Sequence, residues 1–291
     1  MVRNRYVMKL QVASHTLSSV GESPLYNRET NMLVWVDILG KKWHRCDLAT
    51  GITVTQTVPS MIGAIVERLD GGYFAAVKEG FAELGRENEY SFIIDLLPDD
   101  ERMNDAKADP QGNWWVGSTA INFSKGKGRL YRLRPDRSFD VVISNLTLPN
   151  GIGWSPDYKK FYLIDSLQHI LWIFDFKFDT GVLTNQKLFY KFPKDGGIPD
   201  GLCVATDGSI LVAMWDGWRI EVISDSGIVR NSLNLPVQRP TSCTFAGSRG
   251  TELVITTASL DLNLSEQPYS GKLLSITDSG FQGVESSKYF G

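Results

Sequence analysis

Histidine is scarce in this chain of 291 residues: His15, His44 and His169 are the whole supply. That leaves little material for an imidazole nucleophile or base, or for a zinc centre of the usual His/Cys kind. Cysteine is equally sparse. Cys46, Cys203 and Cys243 are odd in number and form no CxxC pair, so a disulfide framework is disfavoured and buried, reduced thiols are expected. No Lys/Arg cluster occurs and the net charge is −3, which leaves no electrostatic footprint for nucleic acid. No apolar run approaches the roughly 18 residues of a membrane span, and the first ten residues contain no signal-peptide h-region. The expectation is a cytoplasmic protein that uses neither nucleic acid nor membrane. A linker, a Pro/Ser-rich spacer or a charge block is also missing, so 1–291 is expected to be a single domain.

What is present points to strands. Apolar residues make up 42% and charged residues 22%, enough for a large core and too apolar for disorder. Aromatics at 11%, with 8 Trp and 27 Gly, favour an all-β chain with many turns. No stretch shows a helix of useful length.

The chain repeats. Arg102-Met103-Asn104-Asp105 is a polar head set directly before an Asp109-Pro110-Gln111-Gly112-Asn113 turn and the strand Trp114-Trp115-Val116-Gly117. Pro presets φ in such a turn and Gly accepts the positive φ that follows. Pro149-Asn150-Gly151 and Pro199-Asp200-Gly201 begin similar units. Taking Glu22, Gly63, Asn104, Asn150, Asp200 and Thr241 as openings, the steps are 41, 41, 46, 50 and 41 residues. Six units of that length, each with about four short strands, predict a six-bladed β-propeller. A closed ring leaves no free sheet edge, so residues near Leu10 and Val12 are expected to complete the sixth blade. The polar, glycine-broken segment 119–127 is expected to loop over one mouth of the tunnel.

In a propeller the first strand of every blade lines the tunnel, so the opening residues converge although they are far apart in sequence. Here they supply two carboxylates, Glu22 and Asp200, and two carboxamides, Asn104 and Asn150. Oxygen donors suit a hard divalent cation such as Ca²⁺, Mg²⁺ or Mn²⁺. Each residue also has a plainer reading: Glu22 and Asp200 as turn caps, Asn150-Gly151 as a left-handed turn. Gly63 and Thr241 show that an opening need not carry a ligand at all. Met103, Trp114 and Trp115 read as core. Arg102 is either a surface arginine or a fork of donors aimed at whatever binds beside Asn104.

Five motifs then come together in order: Gly21-Glu22-Ser23-Pro24, Arg102-Met103-Asn104-Asp105-Ala106-Lys107-Ala108-Asp109-Pro110, Asn150-Gly151-Ile152-Gly153-Trp154-Ser155, Tyr162-Leu163-Ile164-Asp165-Ser166 and Ile198-Pro199-Asp200-Gly201-Leu202. With Pro240-Thr241-Ser242-Cys243-Thr244-Phe245 in the last unit, they resemble the regucalcin (senescence marker protein), gluconolactonase and luciferin-regenerating-enzyme family. The resemblance implies a six-bladed propeller with one divalent metal (Ca, Mn, Mg or Zn) in the tunnel and hydrolysis of a sugar lactone. It also implies Glu22, Asn150 and Asp200 as ligands, Asp200 as general base, and Arg102 and Asn104 as substrate contacts. Where regucalcin-like members carry a substrate-binding Glu, this chain has Asn122 in a shortened 120–127 loop; Asn122 keeps the hydrogen bonding without the charge and is expected to contact a substrate hydroxyl, so the preferred sugar is open. Two rival readings share the propeller: a phosphotriesterase of the diisopropyl-fluorophosphatase kind, and a non-enzymatic calcium-binding module.

Overall fold

In each unit the second strand is the most completely apolar. Met32–Asp37, Tyr73–Val77, Trp114–Ala120, Lys160–Asp165, Ile210–Trp215 and Glu252–Thr257 are buried along nearly their whole length. The outermost strands, such as Thr53–Thr57 and Val182–Lys191, keep much of their length in solvent. A strand hidden on both faces needs a sheet packed against each face, and a ring of sheets provides that. The computed structural model, which describes residues 9–85 and 89–291, shows six four-stranded antiparallel sheets. They are the blades of a propeller and begin at the six predicted openings. The expectation for the first ten residues falls mostly on residues 1–8, which lie outside the described residues.

The core is divided among the inter-blade spaces. Six apolar clusters occur, one between each pair of neighbouring blades. Trp115, for example, meets Trp154, Phe161 and Phe176 of the next blade. Met103, Trp114 and Trp115 are all buried in this way. The three cysteines are buried and free.

The ring closes as expected. Lys9–Ser14 forms the outer edge of the sixth blade, pairing Leu10 with Ile276 and Val12 with Leu274. The Asp109 turn also forms: its carboxylate accepts from Gln111 N, Asn113 N, Asn113 Nδ2 and Trp115 Nε1 at 2.8–3.0 Å, and Gly112 has φ 79°. The only helix among the described residues is one 3₁₀ turn, Ser166–Gln168.

Two features position the tunnel. Its wall strands run very close together, so a Cβ on Gly151 would lie 2.7 Å from the Asp200 carbonyl oxygen, and one on Gly63 2.6 Å from the Met103 carbonyl oxygen. Gly151 lies within the strand Pro149–Trp154 and is absent from the positive-φ residues; proximity rather than a left-handed turn requires it. The second feature is the C-terminal segment, which crosses the end of the tunnel opposite the strand openings. Gly283 pairs with Ala205 in the fifth blade, Tyr289 pairs with Arg68 in the second, and Phe290 N donates to Gly112 O in the third. Ser286 and Ser287 lie near Asp105, Leu202 and Ser242 on the way.

Candidate active site

Every wall strand has a register shift at or beside its opening residue: Glu22 to Leu25, Ile62 to Ala64, Met103 to Ala106, Asn150 to Ile152, Pro199 to Leu202 and Pro240 to Ser242. A bulge breaks the strict in-out alternation of a strand and re-aims a side chain. Beside Glu22 the bulge is tight enough to hold Ser23 at φ 51°, and Ser23 N donates to Glu22 Oε2 at 2.9 Å. Glu22, Asn104, Asn150 and Asp200 are all buried, and all four line one cavity.

Hydrogen bonds hold three of the four in place, while Glu22 is held by its own Ser23. Asn150 Nδ2 donates to Asp200 Oδ1 and, at 3.1 Å, to Ser166 Oγ. Asn104 Nδ2 donates to Pro149 O at 2.9 Å, and its Oδ1 accepts from Arg102 at 2.7 Å. Arg102 is half-buried and also donates to Met103 O at 3.0 Å. The loop before Asn150 is held by Asp165, whose carboxylate accepts from Thr147 N and Leu148 N at 3.0 Å each. Asp37 holds the loop before Glu22 in the same way, through Ser19 N and Val20 N.

The centre is short of positive charge. Burial, then the nearby charges of Asp200 and Asp105, push the Glu22 carboxyl well above its ordinary range, and Arg102 opposes the shift only weakly. Asp200 is raised in the same way, by burial and then by Asp105. Burial also lowers the Arg102 guanidinium to about 10. Asp105 is a third buried carboxyl, itself raised by burial. The sequence reading gave it no role, although it stands next to Asn104; the bulge between Met103 and Ala106 is what turns both neighbours towards the axis.

Glu22, Arg102, Asn104, Asn150 and Asp200 form the floor of a cavity of about 390 Å³, whereas Asp105 faces the strap side, near Ser286 and Ser287. Of the segment 119–127, Thr119 and Ala120 extend the strand Trp114–Ala120 instead of looping, and the loop proper reaches the mouth through Ile121 and Phe123. Asn122 does not line the cavity. It is exposed, and its Oδ1 accepts from Ser124 N at 3.0 Å and Ser124 Oγ at 2.7 Å. Ser166 and an apolar wall that includes Met61, Leu167 and Trp215 were not legible as site residues, because each stands in a loop or strand end without a local pattern. His44 and His169 are absent from the cavity lining.

Among the described residues no group of three or more His, Cys, Asp or Glu side chains is placed to hold a metal. The tunnel donors that would hold a cation are two carboxylates, Glu22 and Asp200, together with carboxamides. That set fits a hard divalent ion, since its charge would offset the mutual repulsion and burial that raise both carboxyls. No helix among the described residues is long and apolar enough to cross a membrane.

A family model described as SMP-30/Gluconolactonase/LRE-like region matches residues 20–259. Regucalcin from Oryctolagus cuniculus is 34% identical over 283 residues, covering 93% of this chain and 95% of that protein. The solved luciferin-regenerating enzyme superposes with a TM-score of 0.91 at 27% identity, over 97% of this chain and 99% of that one. A calcium-binding regucalcin from Agrobacterium tumefaciens gives 0.92 at 22% identity, over 97% of each chain, and so supports the fold.

Proposed function

This chain belongs to the SMP-30/gluconolactonase/LRE-like family, and we propose that it is a lactonase of the gluconolactonase kind, dependent on one divalent cation held by Glu22, Asn150 and Asp200. The observation that carries this reading is the convergence of those three side chains, from three blades, on the floor of one cavity with Arg102 and Asn104 beside them. Such a cation, when bound, supplies Lewis acidity to the ester carbonyl.

The chain's own groups do the rest. Asp200 accepts a proton from the attacking water as its oxygen bonds to the carbonyl carbon. The bond from that carbon to the ring oxygen then breaks, and the same proton passes to the departing ring oxygen. Lactone and water become a hydroxy acid with nothing left over. Asn150 and Ser166 fix one end of this network and hold the Asp200 carboxylate in place. The Arg102 fork and Asn104 hold the substrate's oxygens, and the surrounding wall limits the access of bulk water. The family name points to an aldonolactone, with the acid product an aldonic acid.

The test is proton release from a panel of lactones, using protein stripped with chelator and refilled with single divalent metals. Turnover is expected to vanish on stripping and to return with an oxygen-preferring ion. Asp200→Ala is expected to lower kcat about 10²- to 10⁴-fold. Hydrolysis of a fluorophosphate with no lactone turnover would replace this reading with the phosphotriesterase one. Unchanged activity in Asp200→Ala would remove Asp200 as the base.

A further inference from the structure

The polar side chains of the cavity are those of its floor. Above Glu22, Arg102, Asn104, Asn150, Ser166 and Asp200, the lining is apolar, and every blade contributes to it. Ile38 and Leu39 follow the second strand of the first blade, Met61 leads into the second, Phe123 comes from the third, Leu167 from the fourth, Trp215 from the fifth and Leu260 from the sixth. Leu39 and Phe123 are each 44% exposed, an unfavourable position for large apolar side chains unless something apolar covers them. Phe123 sits with its ring 6.0 Å from the Arg102 guanidinium carbon, so the apolar wall begins directly above the polar floor.

From this division we propose that the ligand is amphipathic: a cyclic ester whose reacting end meets the floor and whose remaining part is an alkyl or aryl substituent held by the wall. The proposal rests on the lactonase reading and narrows its substrate away from a fully hydroxylated aldonolactone. A hydroxyl carried up the wall meets apolar side chains and loses hydrogen bonds to water, whereas each methylene placed there gains by leaving water. Asn122 was the one polar side chain of the mouth loop expected to meet a sugar hydroxyl. It is committed to Ser124, and its neighbours Ile121 and Phe123 face the cavity instead. A volume of about 390 Å³ holds a small ring and a short chain.

The experiment compares kcat/KM of the calcium- or manganese-loaded protein for δ-gluconolactone with that for δ-hexalactone, δ-octalactone and δ-decalactone. Binding of the matching δ-lactams, which are not hydrolysed, is measured alongside by calorimetry on metal-free protein. Each pair of added methylenes is expected to raise kcat/KM and lactam affinity roughly tenfold, mostly through KM, until the cavity is full. Phe123→Ser and Leu167→Asn are expected to flatten both series. A flat series, or a preference for δ-gluconolactone, would overturn the proposal and leave the lactonase standing. Graded lactam binding with no lactone turned over under any metal would uphold the amphipathic ligand and overturn the lactonase.

Discussion

His44 shows what a single buried residue does to the pH dependence of the whole molecule. Its ring stacks on Trp35 with centroids 4.8 Å apart, and its Nδ1 is 2.8 Å from Thr55 Oγ1. Nε2 is buried without a partner. Burial lowers its pKa to about 4 from the ordinary 6.5, so the folded protein keeps the ring neutral where the unfolded chain already binds a proton. The contribution is therefore complete above about pH 6.5, falls as pH drops through the window between 6.5 and 4, and is gone below it. That difference amounts to about 3 kcal/mol. Thermal unfolding of His44→Phe at about pH 7 and pH 4.5 is expected to show a smaller acid loss than the unaltered protein. An equal loss in both would mean that the ring does not titrate across unfolding.

At the level of elements, the C-terminal strap is held by one side chain above all. Tyr289 is fully buried, with its ring 5.2 Å from that of Phe74 and 6.4 Å from that of Trp114. Its hydroxyl donates to Arg134 O at 2.8 Å, and its backbone exchanges hydrogen bonds with Glu67 and Leu69 at 2.9 and 2.8 Å. It is thus a plug for the second and third blades, supplied by a segment that belongs to neither. Tyr289→Ala is expected to cost about 3–5 kcal/mol in denaturant unfolding, the usual range for emptying a large aromatic site. A loss below about 1 kcal/mol would show that the strap packs passively.

On the scale of the whole molecule, stability depends on closing the ring. Lys9–Ser14 is the fourth strand of a blade whose other three come from the far end of the chain, and Leu10 and Val12 pack against the core between the fifth and sixth blades. Removing residues 1–14 would strip that strand away and expose the edge of Leu273–Thr277, a ready template for pairing between molecules. The expected result is a melting temperature about 10 °C lower, with light scattering that grows with protein concentration. A truncated protein that melts normally without aggregating would show that the three remaining strands suffice.

The chain alone determined the six units, their openings and the closure by its first strand. Each of these follows from local alternation of apolar strands with Gly/Pro/Asp turns, and six units of about four short strands each fit a closed ring. The donor types at Glu22, Asn104, Asn150 and Asp200 were legible for the same reason, since strand openings in a ring share one axis. Tertiary structure decided what surrounds them. The bulge beside each opening turns Asp105 inward together with Asn104, and nothing in the strand's own pattern announces it. The strap through Tyr289 joins residues more than 200 positions apart. The cavity wall draws single residues from Val20 to Leu260, and Asn122 turns aside because Ser124 offers its nearest hydrogen bonds. Local patterns record which face of a strand is buried. Which side chains meet across the mouth depends on how six blades are set around their axis, and no window of sequence contains that.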